Sequence, residues 1–233
     1  MGIKNVVFVH GAWADGSCWS KVIPILRASG LHAVAVQNPL NSLADDAAST
    51  NRLINAQDGP VLLIGHSYGG VVITEAGVNP KVAGLVYVAA FAPDTGESGG
   101  GLASGYPPTP IFSQVQPVGD NFLMLSPKAV HEDFAQDLPE AEREMVLAVQ
   151  GATNIGVLGT PITKAAWREK PTWFVVAEQD RAIQPQQEAD SAKKMGAKVL
   201  SLPSSNLPML SHAEEVAAFV IEAAGSIDVK AAA

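Results

Sequence analysis

"VLLIGHSYGGVVITEAG", residues 61–77, decides the fold class. Its first five residues are apolar on both faces, as a strand buried between two layers reads. From Tyr68 to Val78 the spacing predicts a helix. Between the two lies G-x-S-x-G at Gly65–Gly69, the sequence of a sharp strand-to-helix turn. Ser67 at the apex has to adopt a strained backbone so that its hydroxyl projects above the sheet. Only small residues at 65 and 69 let the chain pass so closely. The helix N-terminus beneath would add positive potential where an oxyanion forms. An ordinary glycine-rich turn would carry the same glycines, but a strand before and a helix after favour a nucleophile. The Lys-Ser/Thr ending of a phosphate loop is missing, which argues against nucleotide binding.

Outward from this turn the same alternation continues. Further strands are expected at Val6–Val9, His32–Val36, Gly84–Ala90, Thr172–Ala177 and Lys198–Leu202, with helices at Ser17–Ser29, Leu43–Gln57, Gln186–Met195 and Ala213–Ala224. Strand–helix alternation of this kind means a doubly wound, mainly parallel α/β sheet of six strands. One segment breaks the rhythm. "SGGGLASGYPPTP", Ser98–Pro110, reads as loop, and "PKAVHEDFAQ" and "PEAEREMVLAVQ" read as helices that belong to no strand. Residues 95–167 are therefore expected to form a small helical cap between two strands of a core made of 1–94 and 168–233.

Composition narrows the partners. Of 233 residues 47% are hydrophobic and 16% charged, with net charge −8, enough apolar material for a sizeable core. No Lys/Arg run suggests nucleic acid or an anionic membrane. A single cysteine, Cys18, excludes an internal disulfide framework and a cysteine-based zinc site. The start "MGIKNVVFVHGAW" lacks the features of a secretory signal, so a cytoplasmic protein is expected, monomeric or a homodimer, without cofactor or metal.

The loop after the first strand, "VFVHGAWADGSCW", should supply the second half of an oxyanion hole. The N–H of Ala12 would join that of Tyr68, with His10 buttressing the loop. Backbone donors are fixed before charge develops, and losing one costs on the order of 10²–10³ in rate. With "HGAW…W", "GHSYGG", "VYVAAFAPDTGES" and "FVVAEQDRAIQP" in place over nearly the whole length, the chain resembles the α/β-hydrolases. It is most similar to the short esterase branch that includes plant methyl esterases and hydroxynitrile lyases.

That resemblance implies the chain order serine, acid, histidine. Asp180, just past "TWFVVA", takes the acid place, with Glu178 behind it as substitute. The base should stand in the loop after the last strand, "PSSNLPMLSHAEEV". Residue by residue, Asn206 falls in the histidine slot and His212 at the start of the final helix. A carboxamide can hydrogen-bond to Ser67 but cannot deprotonate it near neutral pH. Three readings stay open: an esterase weakened at its base, a base relocated to His212, and a non-catalytic ligand-binding protein on the hydrolase scaffold. His66 should point away from the nucleophile, and His131 in "HED" makes no metal site.

Pocket candidates are Trp13, Tyr68, Phe112, Phe122, Met124, Trp167, Leu207 and Met209. None is a cation placed to grip an anion, so a small, largely neutral ester fits best, hydrolysed through an acyl-enzyme on Ser67. A haloalkane dehalogenase would need Asp at 67. A plant-type hydroxynitrile lyase would want Thr where Gly11 stands.

Overall fold

The computed structural model describes residues 2–228. The chain opens with strand β1 (Asn5–Val9), a 3₁₀ turn (Gly16–Trp19) and helix α1 (Val22–Ala28). It continues through β2 (His32–Ala35), α2 (Leu43–Asn55), β3 (Val61–Ser67), α3 (Gly69–Ala76) and β4 (Val82–Ala90). The insertion follows with α4 (Gly99–Ala103), β5 (Val115–Pro117), β6 (Phe122–Leu125), α5 (Pro127–Ala129), α6 (Glu140–Val149) and β7 (Thr153–Asn154). The core then resumes with β8 (Thr172–Ala177), α7 (Pro185–Met195), β9 (Lys198–Leu202), α8 (Pro208–Ser211) and α9 (Ala213–Ser226).

Six parallel strands in the order β2-β1-β3-β4-β8-β9 form the main sheet. Every residue of β1, β3 and β8 is buried, because helices cover both faces and leave no side for water. From β1 the chain steps out to β2 on one side and returns to β3 on the other. That reversal opens a crevice beyond the carboxyl ends of β1 and β3, where ligands bind in sheets of this type. Ser67 ends β3, and Gly11 and Ala12 follow β1. Topology alone thus brings the two sequence motifs together.

The insertion departs from the all-helical expectation. It contains a small antiparallel sheet, β5-β6-β7, whose hairpin turns at Asp120 and Asn121, both at positive φ. Its strands span only two to four residues, too few for an alternating pattern to register. The glycine-rich stretch read as loop holds α4. The Ser98 hydroxyl caps it by accepting the Gly101 N–H at 3.1 Å, and Gly99 packs among Leu158, Val71 and Phe91. Capping and packing outweigh the poor helix propensity of three glycines. "PKAVHEDFAQ" is likewise not one helix: α5 passes into a π-helical turn at Val130–Phe134.

Candidate active site

Ser67 sits on the turn between β3 and α3 with φ +52°, and is 7% exposed. Its two flanking glycines are obligatory for steric reasons. A Cβ on Gly65 would lie 2.5 Å from the Gly69 carbonyl oxygen, and one on Gly69 would overlap the Val9 carbonyl oxygen. Strain at Ser67 is held by this surrounding backbone, as is usual where a reactive side chain must be displayed.

The loop after β1 lies directly against the serine. A Cβ on Gly11 would come within 2.7 Å of Ser67 Cβ and 2.9 Å of the His66 carbonyl oxygen. No side chain fits at 11, threonine included. Gly11→Ala is expected to cost about 1–3 kcal/mol of stability through this overlap, and to disturb the serine; urea unfolding of the purified variant checks it. The next residue, Ala12, presents an N–H that, like that of Tyr68, has no protein acceptor among the described residues. Trp13, at φ +55°, donates its backbone N–H to Thr153 Oγ1 at 3.0 Å and its indole N–H to the Leu123 carbonyl at 3.1 Å. His10 stays behind the loop. It accepts the Asn38 N–H on Nε2 at 2.9 Å, so Nδ1 carries the hydrogen and donates to the Gly11 carbonyl at 2.9 Å.

Tyr68 does not face the pocket, contrary to expectation. Its ring is fully buried, and its hydroxyl donates to Asp46 Oδ2 at 2.8 Å, while Asp46 Oδ1 accepts the Leu40 N–H at 2.8 Å. Burial, with Asp46 beside it, raises the phenol far above its ordinary value. The backbone N–H alone remains available to a ligand.

Asp180 and Asn206 meet. Asp180, 5% exposed, accepts the N–H groups of Ala182 at 2.6 Å and Ile183 at 3.0 Å on Oδ1. On Oδ2 it accepts the Asn206 amide at 2.6 Å. Burial lifts its carboxyl to about 6, against the lowering effect of these donors. Glu178, the substitute acid, is exposed. Asn206 is fully buried, and its side chain is committed elsewhere than to Ser67. Nδ2 turns to Asp180 and, at 3.5 Å, to the Ala89 carbonyl, while Oδ1 and the backbone oxygen each lie 2.9 Å from His66 Nε2. The expected contact with Ser67 is replaced by this network, because a carboxamide offers donor and acceptor to two different partners at once.

His66 closes the network from behind the serine. Its Nδ1 accepts the Gly11 N–H at 3.3 Å, so Nε2 carries the hydrogen and donates to Asn206. The free lone pair points at a backbone N–H, not at Ser67 Oγ, so this imidazole is no substitute base. Burial lowers it to about 4. His66 thus contributes stability present above pH 6.5 and lost as pH falls toward about 4. The amount is about 3 kcal/mol for a shift of this size in a fully buried group. Folding free energies from urea titrations at pH 7 and pH 4.5 should therefore fall more in this chain than in His66→Gln. His212, the alternative base, packs at the head of α9, with Nδ1 3.5 Å from Glu215 Oε1. Among the described residues its ring makes no hydrogen bond to Ser67 or Asp180.

Among known proteins, the Alpha/beta hydrolase family profile matches residues 6–219. The chain belongs to the α/β-hydrolase family. A carbendazim hydrolyzing esterase of Nocardioides sp. (strain SG-4G) is 36% identical over 110 residues, 41% of this chain and 46% of that protein. Methylesterase 8 of Arabidopsis thaliana is 31% identical over 112 residues, 41% of this chain and 40% of that one. In both cases the alignment spans less than half of the relative's length. The crystal structure of polyneuridine aldehyde esterase superposes with TM-score 0.83 over 95% of this chain and 99% of that chain; at 19% identity the likeness shows the fold. With relatives named esterases and hydrolases, this is a hydrolase-like enzyme of the esterase branch.

Two largely apolar cavities lie near the loop after β1 and near the turn that carries Asp180, and Ser67 lines neither. One, of about 380 Å³, lies between the loop after β1, α6 and α8, and is lined by Trp13, Cys18, Phe134, Val146, Leu207 and Leu210, with Lys21 and Glu142 at its edge. The other, of about 370 Å³, lies under Phe112 beside Ala182 and Ile183. Trp13 and Phe112 meet edge to face at 6.1 Å. Besides Tyr68, four predicted pocket residues line neither cavity. Met209 is fully buried in the core. Trp167 donates to the Pro93 carbonyl at 2.8 Å and lies beneath Arg168 and Lys194. Phe122 and Met124 are spent on β6. Proximity in sequence could not tell wall from packing for these residues. Phe134 and Val146, which sequence reasoning missed, lie on turns of the insertion whose facing is fixed only by the fold. Among the described residues, no group of three or more metal-ligating side chains occurs, and no helix is long and apolar enough to cross a membrane.

Proposed function

We propose that this hydrolase acts on a small, largely neutral carboxylic ester, through acyl transfer to Ser67, and that Asn206 in the base position leaves it strongly impaired. Ala12 and Tyr68 N–H groups hold the oxyanion, and Asp180 is the orienting acid. The observation that carries the reading is the hydrogen-bonded line Asp180–Asn206 beside the displayed serine. It is the wiring of an acid and base pair with a carboxamide in the base's place. The largely apolar cavity lined by Trp13 and Leu207, whose one cation, Lys21, is already paired with Glu142 at 2.7 Å, supports a neutral substrate. The esterase names of the relatives point the same way.

Substrate class is tested with Asn206→His against p-nitrophenyl acetate, butyrate and an acyl chain ending in carboxylate. The neutral esters should turn over at least tenfold faster in kcat/KM than the anionic one. Equal rates, or a preference for the anion, would overturn the neutral-ester assignment.

A further inference from the structure

A second carboxyl lies behind Asp180, and the ester reaction proposed above does not use it. Glu188, on the first turns of α7, is fully buried. Its Oε2 accepts the Ala177 N–H at 2.9 Å, while its Oε1 is buried without a donor. The two carboxyl-bearing residues converge on Ala177, whose carbonyl accepts the Asp180 N–H at 3.2 Å and whose N–H is the one Glu188 accepts, so each carboxyl acts on the other. No cation compensates them. Arg181, adjacent in sequence, is turned to the insertion and pairs with Asp133 at 2.6 Å, and His66 reaches only as far as Asn206. The charge that acts on Glu188 is that of Asp180.

Two buried anions in contact, without a cation, are not sustainable. One of the pair has to hold a proton, and the donor count says which. Asp180 receives three N–H groups, from Ala182, Ile183 and Asn206. Glu188 receives one and has an idle oxygen. Donors favour the charged form, so the charge rests on Asp180. A hydrogen on Glu188 Oε1 then satisfies both the idle oxygen and the neighbouring carboxylate.

We propose that Glu188 is a positioning residue that retains its proton and donates it as a hydrogen bond to Asp180, confining the negative charge of the site to Asp180. Burial and the nearby Asp180 charge push the Glu188 carboxyl well above the usual range, in the same direction. The residue acts through Asp180 and touches no reacting atom. Its role at Asp180 deepens the esterase reading, but its proton can be observed whether or not the chain turns over.

The test is carboxyl ¹³C NMR on the full chain with labelled Asp and Glu, the Glu188 resonance being assigned by its loss in Glu188→Gln. Glu188 should remain protonated at pH 7, and Asp180 should titrate near 6. In Glu188→Leu the Asp180 midpoint should rise by about one unit, the size of one lost charge-assisted bond. In Glu188→Gln, whose amide still donates, it should not rise. The Gln variant carries the experiment alone if the Leu variant does not fold. A Glu188 resonance ionised at pH 7, or an Asp180 midpoint that rises as far in Gln as in Leu, overturns the proposal. In the Asn206→His background, Glu188→Leu should cut kcat about tenfold and shift its acid limb upward, with Gln restoring both. If Asn206→His brings no activity, the ester reading fails while the NMR result still decides the role of Glu188.

Discussion

Asn206→His is expected to raise hydrolysis of a small chromogenic ester at least a hundredfold over the chain as it stands. The serine has its strained display, Asp180 is hydrogen-bonded to Asn206, and two unengaged backbone N–H groups flank the turn. What is missing is a group with a lone pair that can take the hydroxyl proton. Loss of the base in a serine triad costs on the order of 10⁶ in kcat, leaving about 10³–10⁴ over water from binding and the oxyanion hole. A new histidine inherits the Asp180 contact now made by Nδ2 of Asn206, which would fix its tautomer as the acid of a triad does. Because the new imidazole has to be neutral to take the hydroxyl proton, the gain should fade at acid pH as that ring is protonated. Steady-state rates of both proteins between pH 5 and 9 decide it. Equal, fast rates would show that another group serves as base. Two inert proteins that bind esters unchanged would favour a ligand-binding role for the scaffold.

The second large effect is a coupling. In the Asn206→His background, Ser67→Ala should return the rate to that of the present chain. In the present chain the same substitution should change little, since the hydroxyl there has no base. Residues acting as one unit are not additive, and the four rates of this cycle measure that directly. A Ser67→Ala loss of similar size in both backgrounds would mean that the serine is activated without position 206.

Much of the fold was legible because the four inner strands of the main sheet are short, apolar on both faces and separated by turns or helices, as Val61–Ser67 illustrates. The insertion was not. β6 and β7 of the small sheet are held by pairing with other segments and by the Gln150 side chain bonded to both the N–H and the carbonyl of Leu125. Local periodicity carries no trace of such contacts. At the site, Ser67 and Ala12 could be proposed from the turns at strand ends, and Asp180 and Asn206 only from the resemblance to the α/β-hydrolases and its chain order. The partners of those residues could not. Glu188 reads as one more polar residue on a solvated helix, and His66 as a strand residue facing inward. Only the packing of α7 on β8, and of the loop after β9 behind β3, turns them toward Asp180 and Asn206.

Trp13 links two parts of the molecule that separate sequence motifs kept apart. Its backbone N–H is held by Thr153 on β7 and its indole by Leu123 on β6, while Ala12 is its immediate neighbour. The insertion therefore grips the loop after β1 by two hydrogen bonds. Lifting the small sheet means either breaking both or dragging the loop out of register with Ser67. The placement of the insertion and that of the loop packed against Ser67 are in this way geared to a single tryptophan.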